Sequence, residues 1–180
     1  MPLSFPILSA PPTAPYPPDL ADATAAPPEL LGDLVDVEVT GRDWANAAAR
    51  RIELLRVELH DCRLTGAQLA EATLRDVTFT DCKLDLSGLR MSRLERVVFR
   101  DCLMGECDLY QATLKDVLFE RCDLQAAVFS GAALTRTELR RCILAGVQGV
   151  EALRGARMPW PDVVENGPVF AAGLGIAIID

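Results

Sequence analysis

The chain has 180 residues, half of them apolar and 24% charged, with aromatics at only 6% and a net charge of −8. That apolar share excludes a wholly disordered chain, and the negative balance argues against a bare electrostatic nucleic-acid binder. There is no uninterrupted apolar run of roughly 18 residues, and no basic segment ahead of an apolar core at the N-terminus, so neither a membrane span nor a secretory signal is expected.

In chain order, the first segment is a proline-rich stretch, residues 1–32. Nine of the twelve prolines fall between Pro2 and Pro28, among Ala, Ser and Thr. Proline donates no backbone hydrogen bond and this stretch has little to bury, so a disordered or polyproline-like tail is expected. Pro12 with Pro15, and Pro15 with Pro18, have the PxxP spacing that aromatic grooves recognise. So loose a pattern is better read as a plain flexible tail. Acidity is concentrated outside the middle of the chain. Residues 1–53 carry eight acids and three bases, residues 54–150 fourteen and thirteen, and residues 151–180 four and two.

From Leu54 to Leu144 every fifth residue is large and apolar: nineteen positions, fourteen Leu, four Phe (Phe79, Phe99, Phe119, Phe129) and Met104. The residue two before each centre is small or medium, and the other positions hold most of the polar groups. A helix turns about 100° per residue, so a spacing of five precesses around it. In a strand the same spacing flips face at each step. Short extended segments joined by a turn at every repeat satisfy the pattern, each sending two apolar side chains inward. A second period of twenty is visible in Val57-Glu-Leu-His-Asp-Cys62, Val77-Thr-Phe-Thr-Asp-Cys82, Val97-Val-Phe-Arg-Asp-Cys102, Val117-Leu-Phe-Glu-Arg-Cys122 and Thr137-Glu-Leu-Arg-Arg-Cys142. Four five-residue units therefore close one coil, and equivalent residues stack. Val37 and Val39 extend the series back, so a degenerate first coil is expected from near Asp33, with Arg42 misplaced at a small inward position.

On these residues, together with Ala67-Gln-Leu69, Cys107-Asp-Leu109 and Cys122-Asp-Leu124, the chain resembles the pentapeptide-repeat family over about residues 33–158. The resemblance implies an all-β fold, a right-handed, four-sided parallel β-helix of five to six coils. Val98, Leu103, Leu118 and Ile143 depart from the family's Asp or Asn before the centre, which roughens the surface and leaves the fold intact. Stacked repeats bury their apolar faces only against neighbours, and both ends expose unpaired edges that need a cover.

The six cysteines follow the register. Cys62, Cys82, Cys102, Cys122 and Cys142 form one inward column and Cys107 lies on the next face, so they are expected to be buried packing residues. A line of thiols neither converges on a metal nor points pairwise for disulfides. Such thiols suit a reducing compartment, and a bacterial, cytoplasmic setting is expected. His60 is outward and without a nucleophilic partner, hence a solvated surface residue. Asp61, Asp81 and Asp101 form a ladder that Arg121 and Arg141 continue. A regular prism offers no cleft for paired acids, so no catalytic, cofactor or metal residues are assigned and no enzyme is expected.

The register fails after Leu144, with Gly149 at the next centre. Leu153, Ala156 and Met158 suggest one last turn shifted by a residue. Pro159-Trp-Pro161 then breaks the pattern. Asp162 is read as capping a short helix, Val169 to Leu174 as a second, and Ile176 to Ile179 as a strand. Residues 159–180 are thus a C-terminal cap, or a dimerisation segment of the kind some family members join through. The expected role is a non-catalytic protein–protein scaffold, monomeric or a tail-to-tail dimer, binding another protein and neither nucleic acid nor membrane directly. The alternative the family supplies is a DNA-mimicking, gyrase-protecting protein of the quinolone-resistance kind.

Overall fold

The computed structural model describes residues 31–179; the expectation of a flexible tail falls almost wholly outside them. Seven strands form one parallel sheet: β1 (Leu34–Thr40), β2 (Glu53–His60), β3 (Thr73–Thr80), β4 (Arg93–Arg100), β5 (Thr113–Glu120), and the shorter β6 (Ala133–Thr135) and β7 (Glu138–Arg140), both paired to β5. Each strand lies on the next in steps of twenty residues, as Leu54 on Leu74 and Val57 on Val77. The remaining faces join through single bridges in the same step, such as Arg63 to Lys83 and Gln68 to Gly88. The chain is a parallel β-solenoid of five-residue sides.

The inward pairs make the core. Leu54, Leu59, Leu64 and Leu69 are fully buried, and burial holds along their columns until Leu134, which is only partly covered near the C-terminal end. Phe79, Phe99 and Phe119 stack along the axis with ring centroids 4.9 and 5.1 Å apart and planes within 10°. Phe129 meets Phe119 edge-on at 6.2 Å. Each such side chain contributes about 2 kcal/mol of burial, and only because a coil lies on either side. The first coil is genuine: β1 pairs with β2 from Leu34 to Thr40, and Trp44 is buried. Arg42 interrupts the small inward column but keeps the ladder, its carbonyl accepting from Arg63 N–H at 2.8 Å.

A feature absent from the reading of the sequence governs the corners. Every fifth residue from Asp36 to Gly146, two after each core centre, has positive φ. Most are not glycine, and a left-handed L-residue costs about 1–2 kcal/mol. The cost is met by the hydrogen bonds each turn allows its coil to make with the next. Their signal was present: Asp, Asn and Gly, the residues most tolerant of this region, recur there at Asp36, Gly41, Asn46, Asp61, Gly66, Asp76 and Asp81.

At the C-terminal end the last turn is one residue short, as the spacing suggested. Glu138 bridges Arg157, nineteen residues on instead of twenty. Gly149 begins this shift with φ 75°; a Cβ there would lie 2.3 Å from the Ser130 amide nitrogen. A 3-10 turn (Val150–Leu153) follows, then α1 (Trp160–Glu165) and α2 (Gly167–Gly173). Two expectations need correction. Asp162 does not cap a helix: α1 starts earlier, behind Pro159, and the Asp162 side chain is buried against the last coil. Ile176–Ile179 is not a strand, and its three isoleucines are exposed. The edge it would have joined is already covered by α1 and the shifted turn.

Candidate functional site

With the interior filled by side chains, whatever the rod does it does through its outer surface. The outward residues form axial columns. One corner column reads Asp36, Arg56, Asp76, Arg96, Asp116, Arg136, strictly alternating in charge because each level lies twenty residues from the next. It resolves into three bidentate pairs. Arg56 grips Asp36; Arg96 holds Asp76 at 2.6 and 2.9 Å; Arg136 holds Asp116 at 2.5 and 2.6 Å. The guanidinium hydrogen bonds pull the carboxyls of Asp36 and Asp116 below the usual carboxylate range and raise Arg96 above its ordinary value.

The ladder read from the sequence at Asp61, Asp81, Asp101, Arg121 and Arg141 is present at the next corner, where Arg121 is bidentate on Asp101 at 2.6 and 2.7 Å. Arg100 also meets Glu120 at 2.9 Å. Exposed pairs of this kind add little to stability, because water and salt screen them. Their larger effect is to neutralise the surface column by column. His60 is outward but only half exposed, with Nε2 3.4 Å from Glu58 and 3.9 Å from Glu38.

All six cysteines are free and buried. Each thiol of the column faces two carbonyl oxygens, for example Cys82 Sγ at 3.4 Å from Leu59 O and 3.3 Å from Thr80 O. A thiolate there would be unsolvated and repelled. Contact with the adjoining thiol, together with burial, pushes Cys62, Cys102 and Cys142 upward. Burial, aided by the charges of Asp108 and Asp85 and opposed by a hydrogen bond with Ser87, holds Cys107 up at about 12. Among the described residues no three His, Cys, Asp or Glu side chains converge as a metal site would require. Native protein should therefore label slowly with a thiol reagent at five or all six positions, and at all six together in denaturant. Rapid stoichiometric labelling without denaturant would contradict the packing.

Apart from the C-terminal segment, where Trp160, Val164, Leu174 and Ile176 are exposed, the side of the rod also carries apolar residues. Leu86 and Met91 occupy left-handed corners on either side of Gly88 in the third coil and are 55% and 48% exposed. The other corners carry polar or charged side chains, glycine or alanine. Leu103, 44% exposed, lies one coil on, on the adjoining side above Lys83, and the Arg90 guanidinium sits 4.7 Å over the Tyr110 ring. Core periodicity does not mark these residues, since Leu86 and Met91 are apolar but off-register. Two concavities lie at the C-terminal end, between the last coil and the helices. They open where the last turn is shifted.

A sequence profile for the pentapeptide repeat region matches residues 52–129 and 81–148, together more than half of the chain. No curated protein matches it significantly. Among solved structures, a pentapeptide repeat protein from the Arabidopsis thaliana thylakoid lumen is 20% identical with a TM-score of 0.52, the match covering 54% of this chain and 68% of that one. HetL, a pentapeptide repeat protein involved in heterocyst differentiation regulation from the cyanobacterium Nostoc, is 18% identical with a TM-score of 0.43, covering 64% and 62%. QnrB1, a plasmid-mediated fluoroquinolone resistance protein, is 18% identical with a TM-score of 0.34, covering 83% and 99%. At these identities the likeness is one of fold. No helix among the described residues is long and apolar enough to cross a membrane.

Proposed function

The chain belongs to the pentapeptide-repeat family, and from that premise we propose that it is a non-catalytic scaffold that binds another protein through the side of its rod. The observation that carries this reading is the apolar corner pair Leu86 and Met91. A large apolar side chain is poorly suited both to a left-handed backbone and to water. Here two of them frame one face of one coil, the face that carries Arg90 of the Arg90–Tyr110 pair, with Leu103 on the adjoining face one coil on. Aromatic and Arg side chains beside apolar ones are the usual anchors of an interface. The rigid lattice of the coils holds them in place before binding, so little ordering entropy is lost on association.

The ion-pair columns speak against the DNA-mimic alternative. Duplex DNA presents about one negative charge per 1.7 Å of axis. This rod carries fourteen acids and thirteen bases over residues 54–150, many of them paired to each other. Its remaining field is screened within about 8 Å at physiological salt.

One experiment separates the two. Tagged wild-type protein and a Leu86→Glu/Met91→Glu variant are used to capture partners from the native host and are assayed against gyrase. A stoichiometric protein retained by the wild type and lost from an equally stable variant is expected. No inhibition of supercoiling at micromolar protein and no protection from a fluoroquinolone are expected from either. Retention of the partner by the variant would remove the patch from the reading. Potent gyrase inhibition that fades as salt rises would replace the scaffold with the mimic.

A further inference from the structure

Where the shifted last turn parts from the coil below it, the 3-10 turn, α1 and α2 enclose a cleft of about 640 Å³. Clefts of roughly 300–1,000 Å³ are the size that takes small molecules. The walls are chiefly apolar, including Leu153, Met158, Val163 and Phe170, and the rim carries Glu151, Arg154 and Arg157. One wall is Glu138, only 7% exposed.

Glu138 is half satisfied. Arg140 Nε donates to its Oε1 at 2.6 Å, while Oε2 is buried and has no hydrogen-bond partner. A buried carboxylate oxygen without a donor is a standing cost to the fold. Its place in the column is also informative. After Glu58 the same axial position reads Thr78, Val98 and Leu118, and a carboxylate returns only at the level where the cleft opens.

We propose that this cleft binds a small organic cation, a protonated primary amine carried on an apolar body. The ammonium donates to Oε2 once the Glu138 carboxylate turns slightly toward the cleft, and the body lies along Met158, Val163 and Phe170. Arg140 stays on Oε1, so the site neither strips an existing ion pair nor leaves the incoming charge unmatched. A charge-assisted hydrogen bond to a buried carboxylate gives the preference for a cation, and the apolar walls give the preference for a greasy one. This site is separate from the side patch and stands or falls without it.

The test uses the full chain and calorimetric titration at neutral pH with three matched probes: 4-phenylbutylamine, 4-phenylbutanol and 4-phenylbutyrate. The amine is expected to bind at least about ten-fold more tightly than the alcohol, and the carboxylate more weakly than either. Glu138→Gln should bring the amine down to the level of the alcohol. Because that change touches the last coil, Val163→Trp on α1 serves as a second variant; it fills the cleft and should abolish binding of all three. Equal affinity for the three probes, amine binding that survives both variants, or no amine binding by the wild type would each overturn the proposal.

Discussion

Leu109→Asp is expected to abolish cooperative folding, whereas Leu103→Asp, six residues earlier, is expected to leave the melting curve close to wild type. Leu109 is fully buried in an inward column between Leu89 and Phe129, while Leu103 is 44% exposed on an outer face. The first change forfeits about 2 kcal/mol of burial and places a carboxylate where no donor can reach it. In a solenoid each coil is supported only by its neighbours, so a fault in the fourth coil divides the rod into two short stacks. Surface substitutions away from special features stay within about ±0.5 kcal/mol. Thermal melts followed by circular dichroism decide the matter. If Leu109→Asp melts within a degree or two of wild type, the five-residue register is wrong.

That register was legible because it is a property of side-chain volume, and volume is written directly in the sequence. Centres from Leu54 to Leu144, the cysteine column and the one-residue shift before Met158 all follow from which residues are large, small or missing. Backbone conformation was harder to see. The left-handed corners tolerate Arg51, Glu71, Leu86 and Met91 as well as Asp and Gly, so composition there marks them only faintly. The alternating Asp36-to-Arg136 column was readable in principle. It required sorting charges by position modulo twenty at a corner where no apolar pattern drew notice. Of the surface, the apolar patch and the orphan oxygen of Glu138 depend on what neighbouring side chains cover, which a one-dimensional periodicity does not contain. The end of the chain departs from expectation for a related reason. Local capping is the commonest use of an aspartate before a helical run, but the partner of Asp162, the Arg141 amide, lies 21 residues away.

Replacing Asp162 and Asn166 together by alanine is expected to lower the melting temperature by about 10 °C and to turn the soluble rod into an aggregating one. Within the rod, Arg121 N–H donates to Arg140 O, Leu124 N–H to Ile143 O, and Cys122 O accepts from Ile143 N–H. One coil further on, no backbone stands in those places, and two side chains of the cap segment do. Asp162 Oδ2 accepts from Arg141 N–H at 2.5 Å, Asn166 Oδ1 accepts from Leu144 N–H at 3.2 Å, and Asn166 Nδ2 donates to Cys142 O at 3.3 Å. Both side chains are buried, so water cannot readily replace them. Each orphaned group costs about 1–3 kcal/mol, and the bared edge is a template for another chain. The same variant discriminates between the two roles considered for residues 159–180. If those residues served only to join two copies, the double alanine protein would be a soluble monomer with an unchanged melting curve. If they substitute for a missing coil, light scattering should show growing assemblies, and the loss of melting temperature should appear even at low protein concentration, where no dimer would form.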